Sequence, residues 1–240
     1  MRLDKLLANL GYGSRSDIKK MIKSGQVMVD GQVCKKPEFA LKEEGDRILN
    51  QVIYAGNLLN YKKYSYLMMN KPAGVVSALR DSKEKTAYSL IDNPVKDLGI
   101  VGRLDKDTRG LLLFTNDGNL AHKLLSPRKH VEKEYLFTCK KPLNQEDIRA
   151  YEEGVVIKDH AKGEVDYKTK PAKLTILDDY TGRLVITEGK YHQVKRMLAA
   201  RDNQVLSLKR IRMGGLFLDE SLKEGDYREL SDEELLLLQQ

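Results

Sequence analysis

The sequence predicts an α+β protein of two domains, a small one ahead of a larger one. Three observations predict it. The first fifty residues hold two short helical patterns and a hairpin signal. The later strands come in runs and lack the regular helix alternation of a doubly wound sheet. Between the two halves, Asn50 to Lys63 has Gly56, scattered asparagines and no amphipathic period, so it reads as a connector. The boundaries that follow are 1–60 for the first domain with its linker and 61–240 for the second. With 240 residues, 41% of them apolar, the chain can fill two cores.

Arg2 to Leu10 read as a short helix, because Leu3, Leu6, Leu7 and Leu10 fall on one face at helical spacing. Gly11 and Gly13 end it. Ser14 caps a second helix, with Asp17 three positions on as the acid of a capping box. Arg15, Lys19 and Lys23 lie four residues apart and form one basic stripe, which Lys20 widens. Such a stripe is ordinarily a solvated face. Beside a second helix and a hairpin it also fits a small RNA-docking unit. Gly25 closes the helix, and Gln26 to Val33 read as a hairpin around the favoured Asp30-Gly31 turn.

In the second part, Tyr66 to Asn70 reads as a strand and Lys71-Pro72-Ala73-Gly74 as a turn. Val75 and Val76 resume an extended segment. Further strands are predicted at Leu111 to Thr115, Glu134 to Thr138, Lys173 to Leu177, Arg183 to Thr187 and Val205 to Met213. Helices are predicted at Gly118 to Leu125, Gln145 to Gly154 and His192 to Ala200. Ser231 to Glu234 form a capping box before the apolar run Leu235 to Leu238.

Composition narrows the function. The 42 basic and 35 acidic residues leave a charge of +7, which hints at a polyanionic partner. Cys34 and Cys139 are far apart and belong to no Cys-x-x-Cys, which argues against a disulfide framework or a zinc knuckle. His122, His130, His160 and His192 show no metal-ligand spacing, so no metal is expected. No signal-type stretch and no apolar run of membrane-spanning length is present, so a soluble cytoplasmic setting without a membrane partner is expected. No Gly-rich phosphate loop appears, which argues against nucleotide-driven chemistry.

Two segments carry the chemistry. Gly102 to Gly110 is a polar turn that leads into the apolar run Leu111 to Phe114 and then the Asn116-Asp117-Gly118 turn. Loops held by rigid strands are where chemistry usually sits. Asp105 stands among Arg103, Lys106 and Arg109, and nearby cations favour the carboxylate form. That suits a nucleophile or an electrostatic stabiliser better than a proton donor. The second segment, Glu188 to Leu198, ends a strand at Gly189 and opens a helix. Lys190, His192, Gln193, Lys195 and Arg196 crowd its first turn and could face an anion there. Basic residues gain nothing from the helix dipole at that end, which slightly favours a functional reading.

The residues Arg2 to Leu7, Gly13 to Ser16, Ile22 to Val27 and Val29 to Gly31 together resemble the S4 RNA-binding domain. The resemblance implies binding of structured RNA, with Arg15, Lys19, Lys20 and Lys23 on phosphates. The blocks Met69 to Gly74, Val101 to Asp105 with Gly110 to Leu113, Thr115 to Gly118, Lys133 to Tyr135 and Glu188 to Met197 resemble the RsuA-type ribosomal RNA pseudouridine synthases. That resemblance spans nearly the whole chain in order. It implies an S4-like domain followed by a pseudouridine-synthase domain built on a mainly antiparallel mixed sheet.

By the same resemblance Asp105 matches the catalytic aspartate, Tyr135 the active-site tyrosine, Lys195 its basic partner and Arg103 the arginine of the catalytic block. Other branches have Arg where Lys195 stands, and an ammonium cannot pair bidentately. Lys190, His192, Gln193 and Arg196 are implied as RNA contacts. Tyr191-His192-Gln193 resembles the branch acting on the small subunit (16S) more than those acting on the large subunit (23S).

The implied reaction breaks the ribose C1′ bond to N1 and remakes it to C5. No atoms are gained or lost, so no cofactor is expected. A carboxylate could stabilise or trap positive charge at the anomeric carbon, as in retaining glycosidases, or add to the base. Tyr135 would stack on the flipped uracil and could also help remove the C5 proton, although a phenol is a weak base and stacking is the favoured role, and Lys195 would hold Asp105 ionised and aimed. Arg103 would order the loop. The expected partner is ribosomal RNA, of the small subunit or its assembly intermediate, and a monomer is the simplest state. The alternatives are a large-subunit synthase, a non-catalytic ribosome-assembly protein, and, fitting poorly, a glycoside hydrolase using Asp105 with Asp107.

Overall fold

The computed structural model describes all residues of the chain except 46, 93, 96, 159–165 and 240. It contains two compact units, Met1–Ser65 and Tyr66–Gln240.

In the first unit, α1 (Leu3–Asn9) buries Leu3, Leu6 and Leu7, and α2 (Arg15–Lys23) buries Ile18 and Ile22. Ser14 caps α2 by accepting from the Asp17 N–H at 3.3 Å. Strands β1 (Val27–Val29) and β2 (Gln32–Val33) form the expected hairpin, and Asp30 and Gly31 both have positive φ, as a tight hairpin turn demands. Strands β3 (Glu43–Glu44) and β4 (Arg47–Ile48) pair with each other. The expected connector is corrected here. Its residues form β5 (Val52–Tyr54) and β6 (Asn57–Leu58), which extend the hairpin into a four-stranded sheet, β2-β1-β5-β6. Val52 is buried in the core of this unit. Each strand is too short to show a period, and Ala55-Gly56 is its turn, with positive φ at both.

The second unit follows as β7 (Tyr66–Lys71), β8 (Gly99–Val101), β9 (Arg109–Thr115), α3 (Gly118–Leu125), β10 (Lys133–Cys139) and α4 (Gln145–Glu153). Then come β11 (Val156–Ile157), β12 (Tyr167–Lys168), β13 (Lys173–Asp178), β14 (Thr181–Ile186) and α5 (Gln193–Ala199). The chain closes with β15 (Val205–Met213), β16 (Leu216–Phe217), β17 (Tyr227–Glu229) and α6 (Asp232–Gln239). The main sheet runs β13-β14-β10-β15-β9-β7-β17, with β8 on β9 and β16 on β15. Every pairing in it is antiparallel except β9 with β15. The sheet is therefore mixed and mainly antiparallel, as expected.

Both faces of the sheet are covered, which explains the unbroken apolar run of β9. Leu112 and Phe114 join the core that includes α4 and α5, while Leu111 and Leu113 join the one that includes α3 and α6. The single parallel contact passes through Gly110, whose φ is +98°. A Cβ there would lie 2.3 Å from the Arg210 carbonyl oxygen, so no larger residue fits the crossing. Cys34 and Cys139 are both buried and unpaired. No helix among the described residues is long and apolar enough to cross a membrane.

Candidate active site

The polar turn between β8 and β9 is held from below by a buried lysine. Lys71 ends β7 with no exposed surface. Its ammonium donates to the carbonyl oxygens of Pro72 at 2.9 Å, Asp105 at 3.1 Å, Lys106 at 3.3 Å and Thr108 at 2.8 Å. Burial pushes the Lys71 amine down to about 8 against the pull of Asp107 and Asp105. The Gly74 N–H donates to Lys106 O at 2.8 Å, so the turn after β7 locks onto the same loop. Ser77 closes the other side, its hydroxyl donating to Leu104 O at 2.8 Å and accepting from Leu104 N–H at 3.0 Å.

This scaffold presents Asp105 at the edge of a cavity of about 80 Å³. Tyr135, Lys190, His192, Leu208 and Arg103 line it with Asp105. Lys195 comes from the first turn of α5 and lies 2.9 Å from Asp105 Oδ2 and 2.6 Å from Asp107 Oδ1. Burial alone would push the Lys195 amine down, but hydrogen bonds to Asp107 and then Asp105 overcome it and hold it above the ordinary lysine range. The Lys195 hydrogen bond holds the Asp107 carboxyl below its ordinary range. His192 caps α5 in the left-handed conformation, with Nε2 3.4 Å from Asp105 Oδ1. The exposed Tyr191 ring stacks on it at 3.8 Å between centroids.

The structure thus brings Asp105, Tyr135 and Lys195 to one cleft from three distant segments. The cations beside Asp105 in sequence do not supply its counter-charge. Lys106 pairs with Glu84 at 2.7 Å and Arg109 with Glu224 at 3.3 Å. Arg103 lines the cavity but makes no hydrogen bond or ion pair among the described residues. The loop-ordering expected of it falls to Lys71 and Ser77.

Gln193 also lines the cavity, yet it is 4% exposed and its amide is committed to the fold. It donates to Glu188 Oε1 at 2.7 Å and accepts from Lys190 N–H at 2.8 Å. Arg196 donates to Lys158 O and Tyr191 O. Lys190 extends over the Tyr167 ring, 4.3 Å from its centroid. In the first unit, Arg15 and Lys19 line a shallow cavity with Arg2, Asp4 and Lys5, while Lys20 and Lys23 are exposed beyond it.

Sequence reasoning missed Lys71, read only as a turn residue, and Thr108. Thr108 is buried, lines the Asp105 cavity and leaves Oγ1 without a hydrogen-bond partner among the described residues. No group of three or more His, Cys, Asp or Glu side chains among the described residues is placed to hold a metal ion. His160 lies outside the described residues.

Residues 65–200 match the family model for RNA pseudouridylate synthases, and residues 1–48 match the S4 domain model. An uncharacterised RNA pseudouridine synthase of Bacillus subtilis is 50% identical over 99% of this chain and 98% of its own length. The ribosomal small subunit pseudouridine synthase A of Haemophilus influenzae is 41% identical, with 98% of each chain covered. That of Escherichia coli is likewise 41% identical at the same coverage. A crystal structure of a pseudouridylate synthase superposes with a TM-score of 0.68 at 39% identity, covering 99% of both chains.

Proposed function

Because the chain belongs to the RNA pseudouridylate synthase family, we propose that it isomerises a uridine of small-subunit ribosomal RNA, with Asp105 as the acting carboxylate. The observation that carries this reading is the Asp105 carboxylate at the cavity edge, 2.9 Å from the Lys195 ammonium and beside Tyr135. The 41% identical full-length relatives named for the small subunit support the choice of RNA.

The target uracil must leave its stack to reach this cavity, at a cost of a few kcal/mol. Tyr135 offers a replacement surface. It is 8% exposed, and its hydroxyl makes no hydrogen bond among the described residues, so it is free for the substrate. Asp105 then meets the anomeric carbon or the base while Lys195 keeps its carboxylate aimed. The C1′–N1 bond breaks, the ring turns within the pocket, and C1′ bonds to C5. The C5 proton leaves and a proton returns at N1, so the product is an isomer. A small cavity suits this sequence, since a detached uracil must reorient without escaping.

The S4-type unit contributes affinity through Arg15, Lys19, Lys20 and Lys23, all exposed. Phosphate contacts of this kind position a protein without reading sequence. Lys190, His192 and Arg196 belong to the rim over which the strand passes. Arg103, exposed and unpaired among the described residues, meets the same strand. We assign the protein to the cytoplasm, where bacterial ribosomes assemble, and to a monomer, because one chain supplies every residue of the site. The units that follow are Met1–Ser65 for RNA docking, a few residues longer than the 1–60 expected, and Tyr66–Gln240 for catalysis.

The test is Asp105→Asn. It should lower pseudouridine formation by at least about 10³-fold while RNA affinity stays within a factor of two or so. Retained isomerisation would remove Asp105 from the chemistry. Chemical mapping of pseudouridines in cells lacking the protein should show a missing site in the small subunit. A missing large-subunit site would overturn the choice of RNA.

A further inference from the structure

A second, larger cavity of about 330 Å³ adjoins the Asp105 cavity in the catalytic unit. The two share Arg103, Tyr135, Gly189 and Lys190 as lining residues. Three further cations line the larger one: Lys133, Lys170 and Arg210. Its one acid, Glu188, is already engaged by three internal donors. These are the Tyr167 hydroxyl at 2.7 Å, the Lys170 N–H at 3.0 Å and the Gln193 amide at 2.7 Å. The cationic excess of the cavity is therefore uncompensated from within.

Arg210 is the telling residue. It lies on β15 opposite Tyr135 of β10 and is 2% exposed. Its Nε donates to Leu111 O at 2.8 Å, but Nη2 has no hydrogen-bond partner among the described residues. Buried guanidinium donors are almost always paired. Lys133 stands on the same strand as Tyr135 and donates to Val131 O at 2.8 Å. Among the described residues neither Lys133 nor Arg210 forms an ion pair. A buried and a half-buried like charge held in one wall without a carboxylate are a standing cost to the fold, and an arriving anion relieves it. Burial, and after it the Arg210 charge, pushes the Lys133 amine down to about 8.

We propose that this cavity is a subsite for a backbone phosphodiester of the RNA, adjoining the nucleotide whose base enters the Asp105 cavity. The inference rests on the uridine reading of that smaller cavity. The shared wall of Tyr135 and Lys190 lets one nucleotide span both chambers, its base against Asp105 and its phosphate against Lys133 and Arg210. The phosphate is then an anchor outside the reacting atoms. It fixes the ribose while the detached base turns, which the isomerisation requires.

The experiment titrates the full chain with the trinucleotide UpUpU and with its uncharged methylphosphonate analogue, by calorimetry at fixed salt. UpUpU should bind at least tenfold tighter than the neutral analogue. Lys133→Met should erase that difference without changing affinity for the neutral analogue, and Lys133→Arg, which keeps the charge, should restore it. Circular dichroism confirms that each variant is folded, and Lys170→Met supplies a second, milder probe with a partial loss. Equal affinity for the two trinucleotides in the unmodified chain overturns the subsite. So does a difference that survives Lys133→Met, or displacement of both trinucleotides alike by inorganic phosphate. Failure of the uridine reading shows itself separately, as UpUpU binding no better than the adenine trinucleotide ApApA.

Discussion

Replacing Lys71 by methionine keeps the length and the apolar stem but removes the charge that holds the Asp105 turn. The ammonium has three N–H donors and four carbonyl oxygens within reach, three of them on the Asp105–Thr108 segment. Bonds from a charged donor are worth roughly 1.5–3 kcal/mol each, so three amount to about 5–9 kcal/mol. The loop is open to water on its outer side, where Asp105 is 25% exposed, so freed carbonyls recover part of this by hydration. The expected loss is about 3–5 kcal/mol, or roughly 10 °C in Tm for a unit of this size. Differential scanning calorimetry measures it. Amide exchange at Gly74 and Thr108, whose N–H groups bond to Lys106 O and Asp105 O, should accelerate with it. The pH dependence gives a second reading. Burial pushes this amine down to about 8 in the folded chain, from an ordinary value of 10.5. Between those values the unfolded chain binds more protons, so the stability of wild type relative to Lys71→Met should rise with pH across that window. An unchanged Tm with unchanged exchange at both amides would refute the claim that Lys71 holds the loop.

Two further outcomes are expected. Lys195→Met should lower kcat by about 10²–10³-fold, the scale for losing one preorganised charge, and Lys195→Arg should recover part of it. Full activity in Lys195→Met, measured by single-turnover kinetics, would show that Asp105 needs no counter-charge. Gly110→Ala forces a Cβ to 2.3 Å from Arg210 O and 2.9 Å from Arg210 N at a φ of +98°, so urea unfolding should show a loss above about 3 kcal/mol. A loss below about 1 kcal/mol would mean that β9 and β15 separate without consequence.

Much of the catalytic unit was legible in residue order, for identifiable reasons. The β9 run was readable because Leu111 to Phe114 serve two cores at once and so show no polar break. Asp105 and Lys195 were readable as a pair only through resemblance, since nothing local links residues ninety positions apart. The local cations Lys106 and Arg109 pointed the right way for the wrong reason, because each pairs with a distant glutamate. Lys71 was opaque because lysines are almost never fully buried, and its partners are backbone carbonyls, which carry no sequence signal. Gln193 read as a donor facing RNA, but the turn at Gly189 folds it inward onto Glu188. The β5–β6 hairpin was lost because strands of three and two residues are shorter than any period that could announce them.

The position of β15 has a consequence for synthesis. The strand is inserted between β10 and β9, yet it is made after both, ending at Met213. A nascent chain that has exposed the Asp105 loop, the tyrosine strand and even α5 still has a gap in the middle of its sheet. Gly110 has nothing to cross, and the tyrosine has no neighbour on one side. Domains that depend on such distant pairings close slowly and late. The half-made protein therefore holds Asp105 and Tyr135 without the cleft that Leu208 of β15 helps to line. The cleft closes only after β15 has taken its place between β10 and β9.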